Sequence, residues 1–499
     1  MNSTEFRKRG KEAVDAIADY YENLDSMPPM SEVKPGYLYG LMPHEAPEDP
    51  ESFDDIQKDI MTNIMPGITH WQSGNFFGWY PANSSFPAIL GDMYSAMFNV
   101  VGFNWICSPA ATELETVVMD WLGRLLGLDK RFRAIKDDST EGCGGGIIQG
   151  SASEAHVSAM IAGREMMLAH LQALGMNDDE VNGVWHKFVA YFSDQTHSSG
   201  KKATNIIGCR SRSVPSDENF RLTKQALLAA IEQDRHDGLI PFFVCGTFGT
   251  TNTAAIDDIP GIADVAAANH MWFHVDAAYA GAALSCPEFR PLARGIERAD
   301  SFNFNPHKWM LTNFDCSALW VADSKHLVNA LSIHREYLPR VKGTTSFAKD
   351  YRDWQIPLGR RFRALKLWFV MRMYGSSGIR AHIRKHVVSA KWLEEQLLAD
   401  GRFEIVAPVE FSLVVFRIKP SALYGNSADD QDLANRANVD LVRLINSDNR
   451  VFLVGTKVKD IDVLRAAIGS AHGNQENVEL LFKVVTELTT SIISRQINK

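Results

Sequence analysis

The stretch MWFHVDAAYAG, residues 271–281, decides the fold. It runs apolar and β-branched up to Asp276, then gives way to small residues. A strand with one wet face alternates apolar and polar side chains. A run that stays apolar on both sides reads instead as a strand buried on both faces. Three more runs share this texture: KFVAYFSD (187–194), PFFVCGTFG (241–249) and SALWVAD (317–323). Helical patterns near 223–233, 259–269 and 324–332 separate several of them. Strands alternating with helices predict an α/β domain with a mostly parallel sheet covered on both faces. Ligands of such sheets lie beyond the carboxyl ends of the strands. Asp276, His197, Thr251 and Lys308 all stand at or just after apolar runs.

Outward from this core, TELETVVMDWLGRLLG reads as a helix, GCGGG as a turn and residues 152–174 as a second helix. Residues 1–85 mix helical pattern with proline-rich connections. In the first of these helices Phe6, Val14, Ile17, Tyr20, Tyr21 and Leu24 recur near helical spacing, the mark of an amphipathic helix seeking a partner surface. After about residue 365 the order is helix, strand (FSLVVFRI), helix, strand (RVFLVG), helix, a smaller α+β unit. The expected division is 1–85, 86–365 and 366–499.

The chain has 499 residues, 45% hydrophobic and 22% charged, with a formal net charge of −9. That charge argues against a nucleic-acid or anionic-membrane surface. No apolar run is long enough to span a bilayer. The N-terminus has no apolar signal core and carries acidic residues, so the expected location is the cytoplasm. The six cysteines are scattered, without a CxxC pair or a Cys/His cluster at metal spacing. They read as free thiols in a reducing compartment, and no metal site is expected.

GGGIIQGSASEA (144–155) sets glycines and small hydroxyls before an apolar helical pattern. Backbone N–H groups at a helix N-terminus attract anions, and Ser151 and Ser153 add donors. The segment is neither GxGxxG nor a Walker loop, so a nucleotide is not specifically indicated. Asp276 after a buried strand is either a turn cap or an acid held near a cationic heterocycle. In FNFNPHKWML (302–311), Lys308 sits in apolar, amide-rich surroundings that favour its neutral, nucleophilic form. An anion cradle, a strand-end Asp and a strand-end Lys match the needs of pyridoxal phosphate: a phosphate site, a ring-nitrogen partner and an amine for the aldehyde. SDQTHSS supplies His197 as a ring to stack on a flat cofactor.

With these motifs assembled, the chain resembles the pyridoxal-phosphate-dependent aromatic L-amino-acid decarboxylases, the group that includes tryptophan, tyrosine and histidine decarboxylases. FNFNPHKW, HVDAAYAG, SSFPAILGDM, SPAATELE, GGGIIQGSASEA, FSDQTHSS, GTFGTT and DYRDWQIPLGRRFRALKLWFVMRMYG carry the resemblance over roughly residues 5–480. It implies a fold-type I transferase-like α/β domain, an N-terminal helical segment wrapping a second copy, and a homodimer with active sites at the subunit interface. It further implies that Lys308 binds the cofactor aldehyde, Asp276 pairs with the ring nitrogen, Ala278 packs on one ring face and His197 on the other. Ala152, Ser153 and Asn305 are the implied phosphate contacts, with Ser151 close by. Thr251 is a further cofactor contact, and His307 belongs to the cofactor's surroundings. The substrate ring is expected among Trp71, Tyr80 and Pro81, with Val101 and Phe103 entering from the second subunit. Ala82 falls near the substrate carboxylate, where animal members usually have Thr.

The implied reaction is decarboxylation of an aromatic L-amino acid, with Tyr337 in HREYLPRVKGTTSF as the donor that returns a proton to Cα. Related aldehyde synthases typically carry Phe in place of that tyrosine, or Asn in place of the stacked histidine. Tyr337 and His197 together therefore point to an amine product. Gly359 in IPLGRRF fits members acting on indole or catechol side chains, with tryptophan favoured and 5-hydroxytryptophan, DOPA, tyrosine and phenylalanine as further substrates. The competing readings are an aromatic aldehyde synthase and a catalytically silent homologue acting as an interaction protein.

Overall fold

The computed structural model describes residues 1–138, 140–332, 348–423 and 431–497. The chain forms two compact units: residues 82–391 with 407–415, and residues 1–81 with 392–406 and 416–499. By contacts, residues 1–81 thus group with the C-terminal part, and residues 366–391 with the larger unit.

The larger unit is built on seven strands: β1 (Gly145–Gln149), β2 (Phe188–Ser193), β3 (Arg210–Val214), β4 (Ile240–Thr247), β5 (Trp272–Asp276), β6 (Ser301–Phe304) and β7 (Ser317–Val321). Their order in the sheet is β1-β7-β6-β5-β4-β2-β3. β2, β3, β4, β5 and β6 pair in parallel, whereas β7 runs antiparallel to both β6 and β1. Two reversals restore direction, so β1 points the same way as β6. The carboxyl ends of β1, β2, β4, β5 and β6 therefore open onto one edge. Helices α1 (Pro109–Leu126), α2 (Ala152–Ala173), α3 (Ser198–Ile207), α4 (Lys224–His236) and α5 (Ile259–Ala268) alternate with the strands.

α2 lies close on the sheet because its inner face is small. Ala155, Ala159, Ala162 and Gly163 are all buried, and a Cβ on Gly163 would come within 2.8 Å of the Trp272 side chain. Ile147, Phe192, Phe243 and Trp272 fill the space beneath this helix. Each such large side chain contributes about 1.5–3 kcal/mol on full burial.

Three strands lie outside the four apolar runs: β1, β3 and the short β6, SFNF, which alternates polar and apolar side chains. β1, read from sequence as a turn followed directly by a helix, is a buried strand rich in glycine. A Cβ at Gly146 would meet Met119 at 2.4 Å and Trp320 at 2.7 Å, so glycine lets α1 and β7 close around it. β3, RSRSV, is a polar edge strand, consistent with charged edges that resist further pairing.

In the smaller unit the four-stranded sheet runs β10-β11-β9-β8, where β8 is Phe403–Ile405, β9 Leu413–Ile418, β10 Val454–Val458 and β11 Ile461–Ala467. The strand expected at RVFLVG begins later, at Val454. Val451, Phe452 and Leu453 are instead buried as an approach to it, with Phe452 bridged to Phe76. The first helix, Ser3–Glu22, buries none of its side chains in this chain, and Phe6 stays exposed. All six cysteines are free thiols. Among the described residues, no helix is long and apolar enough to cross a membrane.

A buried ion pair ties the chain beyond residue 350 to β1. Arg360 donates to both Glu115 oxygens at 2.7 and 3.0 Å and to the Ile148 carbonyl at 3.0 Å, while Ile148 N–H donates to Glu115 at 2.8 Å. Gln355 accepts from Arg360 Nε, and the guanidinium lies 4.6 Å from the Tyr351 ring centroid. Arg360→Ala leaves the Glu115 carboxylate buried without its cation and is expected to lower unfolding free energy by about 3–5 kcal/mol, measured by urea denaturation.

Candidate active site

The expected site residues of the larger unit converge on the open edge of the sheet. Asp276 ends β5, and its neighbours in register are Thr247 on β4 and Asn303 on β6. Its carboxylate is buried. Oδ1 accepts the Ala278 N–H at 2.9 Å, and Oδ2 lies 3.6 Å from His156 Nε2. Burial pushes the Asp276 pKa up, but His156, Lys308 and the Ala278 N–H outweigh it and hold the group below its usual range. The carboxylate is therefore ionised where a cationic ring nitrogen could meet it.

Beyond β6, Asn305 N–H bonds the Ala278 carbonyl at 3.1 Å, which locks the two strand exits together. Asn305 Oδ1 accepts from Ser317 Oγ at 2.7 Å, across to the start of β7. The single helical turn α6 (Pro306–Trp309) then carries Lys308. Its neighbours are buried, whereas Lys308 itself is only half-buried, so the lysine is less dry than its sequence surroundings imply. Trp309 donates to His386 Nδ1 at 2.9 Å and stacks on Tyr279, whose hydroxyl lies 2.6 Å from Ser412 Oγ. These aromatics fix the turn that presents the amine. His307 is engaged by the residue before the next strand: its Nδ1 accepts the Cys316 N–H at 2.8 Å, and burial pushes its pKa down to about 3.

His197 is the N-cap of α3, and its Nδ1 accepts the Ser199 N–H at 3.1 Å. The ring is exposed in this chain but anchored, which suits a platform for a planar ligand. Desolvation of the ring and the Lys308 charge lower its pKa, with Asp276 opposing them. Thr251 sits in the turn after β4, a loop closed by hydrogen bonds from Gly249 and Thr250 N–H to the Ala255 carbonyl.

Ser151 caps α2 by accepting the Glu154 N–H, and the Glu154 carboxylate reaches back to Gly150 N–H at 3.0 Å. The first N–H groups of a helix have no acceptor within it, which leaves those of Ala152 and Ser153 directed outward for an anion. The Ser151 hydroxyl serves the helix first.

The expected substrate contacts are divided between the two units. Val101, Phe103 and Gly359 are neighbours: Gly102 N–H bonds the Arg360 carbonyl, Arg352 N–H bonds the Phe103 carbonyl, and a Cβ on Gly359 would lie 3.7 Å from Val101. Ala82 precedes Asn83, whose N–H bonds the His307 carbonyl at 2.9 Å. Trp71, Tyr80 and Pro81 belong to the smaller unit. There Trp71 stacks on Trp79 with centroids 5.2 Å apart, Arg465 lies over the Tyr80 ring, and Pro81 abuts Gly469. Tyr337 lies outside the described residues.

Sequence reasoning missed His156, His274 and the Glu115–Arg360 pair. Each is an unremarkable residue in its own segment, and only packing brings it to the site or its supports.

One ionised carboxylate, one amine, one anchored imidazole and an anion cradle on a single edge can hold a phosphorylated aromatic aldehyde. Known proteins agree with that chemistry. The family described as the pyridoxal-dependent decarboxylase conserved domain matches residues 35–419. The mouse aromatic-L-amino-acid decarboxylase is 46% identical over 493 residues, covering 99% of both chains. The Arabidopsis thaliana phenylacetaldehyde synthase is 44% identical over 99% of this chain and 98% of its own. The crystal structure of Oryza sativa TDC with PLP and tryptamine superposes with a TM-score of 0.93 at 39% identity, covering 99% of both chains.

Proposed function

Because the chain belongs to the pyridoxal-dependent decarboxylase family, we propose that it converts aromatic L-amino acids, tryptophan foremost, to the corresponding arylalkylamine and CO2. It is a carboxy-lyase of aromatic amino acids, and its cofactor is pyridoxal 5′-phosphate. The observation that carries the reading is the buried, ionised Asp276 at the same sheet edge as Lys308 and the α2 N-terminus.

When bound, pyridoxal phosphate supplies an electron-poor ring that accepts the electron pair left by departing CO2. The chain's residues do the rest. Ala152 and Ser153 N–H groups, with Asn305, hold the phosphate, and Ser151 keeps the helix end in place. The Lys308 amine holds the aldehyde. Asp276 holds a proton at the ring nitrogen, which keeps the ring electron-poor. Ala278 and His197 flank the ring, and Thr251 makes a further contact from its loop. Tyr337 Oη delivers a proton to the substrate Cα.

The preference for tryptophan rests on Gly359, where a side chain would take space from a bulky indole, and on the tryptamine bound in the rice structure. Trp71, Tyr80, Pro81 and Ala82 are proposed as further substrate contacts. The proposed assembly is a homodimer: the first helix leaves Phe6 and Val14 exposed, and wrapping a second copy would cover them. A Cβ on Gly359 would lie 3.7 Å from Val101 of the same chain, so whichever active site Val101 serves, Gly359 serves too. The segments 1–85, 86–365 and 366–499 act as dimer-wrapping, cofactor-binding and C-terminal parts, and the enzyme works in the cytoplasm.

The second reading, an aldehyde synthase, is kept by the likeness to phenylacetaldehyde synthase. With tryptophan, tyrosine or DOPA supplied, amine without hydrogen peroxide is the expected product, and stoichiometric peroxide with aldehyde reverses the assignment. Lys308→Ala should abolish the visible absorbance of lysine-bound cofactor; an unchanged spectrum removes the lysine from its role. Tyr337→Phe should keep CO2 release while diverting product to aldehyde, and amine output at the wild-type rate would exclude Tyr337 as the proton donor. Gly359→Ser, which meets only Val101 at ordinary contact distance, should lower kcat/KM for tryptophan relative to tyrosine by about 10-fold. An unchanged ratio would remove Gly359 from substrate selection.

A further inference from the structure

Residues two apart on a strand share a face, and partners in register share it as well. Asp276 therefore shares its face with His274 on β5, Cys245 and Thr247 on β4, and Ser301 and Asn303 on β6. This is a polar patch in a buried sheet, and His156, one turn into α2, packs on it fully buried.

Hydrogen bonds constrain the protons of the patch. Trp272 Nε1–H donates to Ser301 Oγ at 2.8 Å. His274 places Nδ1 2.7 Å from that hydroxyl and Nε2 2.9 Å from Asn303 Oδ1. Burial, then the neighbouring His156, pushes His274 down to about 3, so it is neutral. Burial likewise holds the Cys245 thiol well above its usual value, so it stays protonated. His156 Nδ1 lies 2.9 Å from the Ala152 carbonyl, which can only accept, so Nδ1 carries a hydrogen. Its Nε2 faces Asp276 Oδ2 at 3.6 Å and Cys245 Sγ at 3.7 Å. A bare Nε2 would set its lone pair against a buried carboxylate, with only a weak S–H donor in return. A protonated Nε2 makes a buried ion pair.

We propose that His156 is a positioning residue of the active site, doubly protonated, whose Nε2–H faces Asp276 and holds that carboxylate ionised and oriented for the cofactor ring nitrogen. The proposal rests on the reading of Asp276 as the ring-nitrogen partner. One helix then serves both ends of the cofactor. Its first N–H groups address the phosphate, and the residue one turn later sets the charge behind the ring. The other titratable groups around His156 are His274 and Cys245 from the sheet, with His197 and Lys308 from the strand exits.

The test begins with the cofactor-free wild-type protein. Histidine ring 15N NMR near pH 7.5, with His156 assigned by difference against His156→Leu, is expected to show both His156 nitrogens in the imidazolium range. In Asp276→Asn the same signals should move to the neutral pattern. A neutral His156 in wild type would overturn the proposal whatever the variants do. In the loaded enzyme, His156→Leu should weaken pyridoxal phosphate binding about 10-fold and shift the pH dependence of the cofactor absorbance, lowering kcat with KM changed less than about twofold. His156→Gln, which keeps an N–H donor, should recover binding to within about threefold of wild type. Loss of affinity in Asp276→Asn with none in His156→Leu would sink the His156 role alone. Wild-type affinity and spectrum in Asp276→Asn would sink the reading of Asp276 itself.

Discussion

A carboxylate at the end of a central strand, cut off from water, is costly unless other groups answer its charge. Asp276 is such a group, and much of the larger unit is arranged around it. β5 is the middle strand of seven, with β4 and β6 sealing it on both sides. The Ala278 N–H answers one oxygen, and His156 and Lys308 answer the charge. An ionised acid kept dry is a strong partner for a positively charged ring and a weak one for anything neutral. The same burial that makes the site expensive makes it selective.

The antiparallel strand β7 gives the edge its second half. With only one of its two antiparallel pairings reversed, β1 would point the other way, and the α2 N-terminus would open on the far side of the sheet from Asp276. Because β1 is restored to the common direction, the anion cradle, the acid and the lysine turn share one rim. Gly146 lets Met119 and Trp320 close on the β1 backbone. Geometry at the rim is then stiffened by bonds between exits: Asn305 to Ala278, Ser317 to Asn305, and Trp309 to His386.

Support for the rim comes from pairs with no chemistry of their own. The Glu115–Arg360 ion pair joins α1, β1 and the segment that carries Gly359, while Gly102 bonds the Arg360 carbonyl and brings Val101 alongside. Gly359 is thereby placed by a buried charge pair rather than by its own contacts. Changes to Arg360 would reach Gly359 and Val101 through this framework as well as through stability.

The strands with continuous apolar runs were legible from composition alone, because burial on both faces leaves no room for alternation. So were the residues just after them: Asp276, His197, Thr251 and Lys308 stand where parallel strands end. β1 and β3 were not legible, one being held by close approach at glycine and the other lying polar at an edge. The sequence by itself determined the α/β class, the family and the chemical kit of amine, acid and helix-end cradle, because these depend on local periodicity and residue type. Tertiary structure alone decided which way β1 runs, that Lys308 is half-buried, that His307 faces Cys316, and that His156 stands behind Asp276. Each of these depends on side chains far apart in the chain meeting across a sheet, and local sequence carries no record of that meeting.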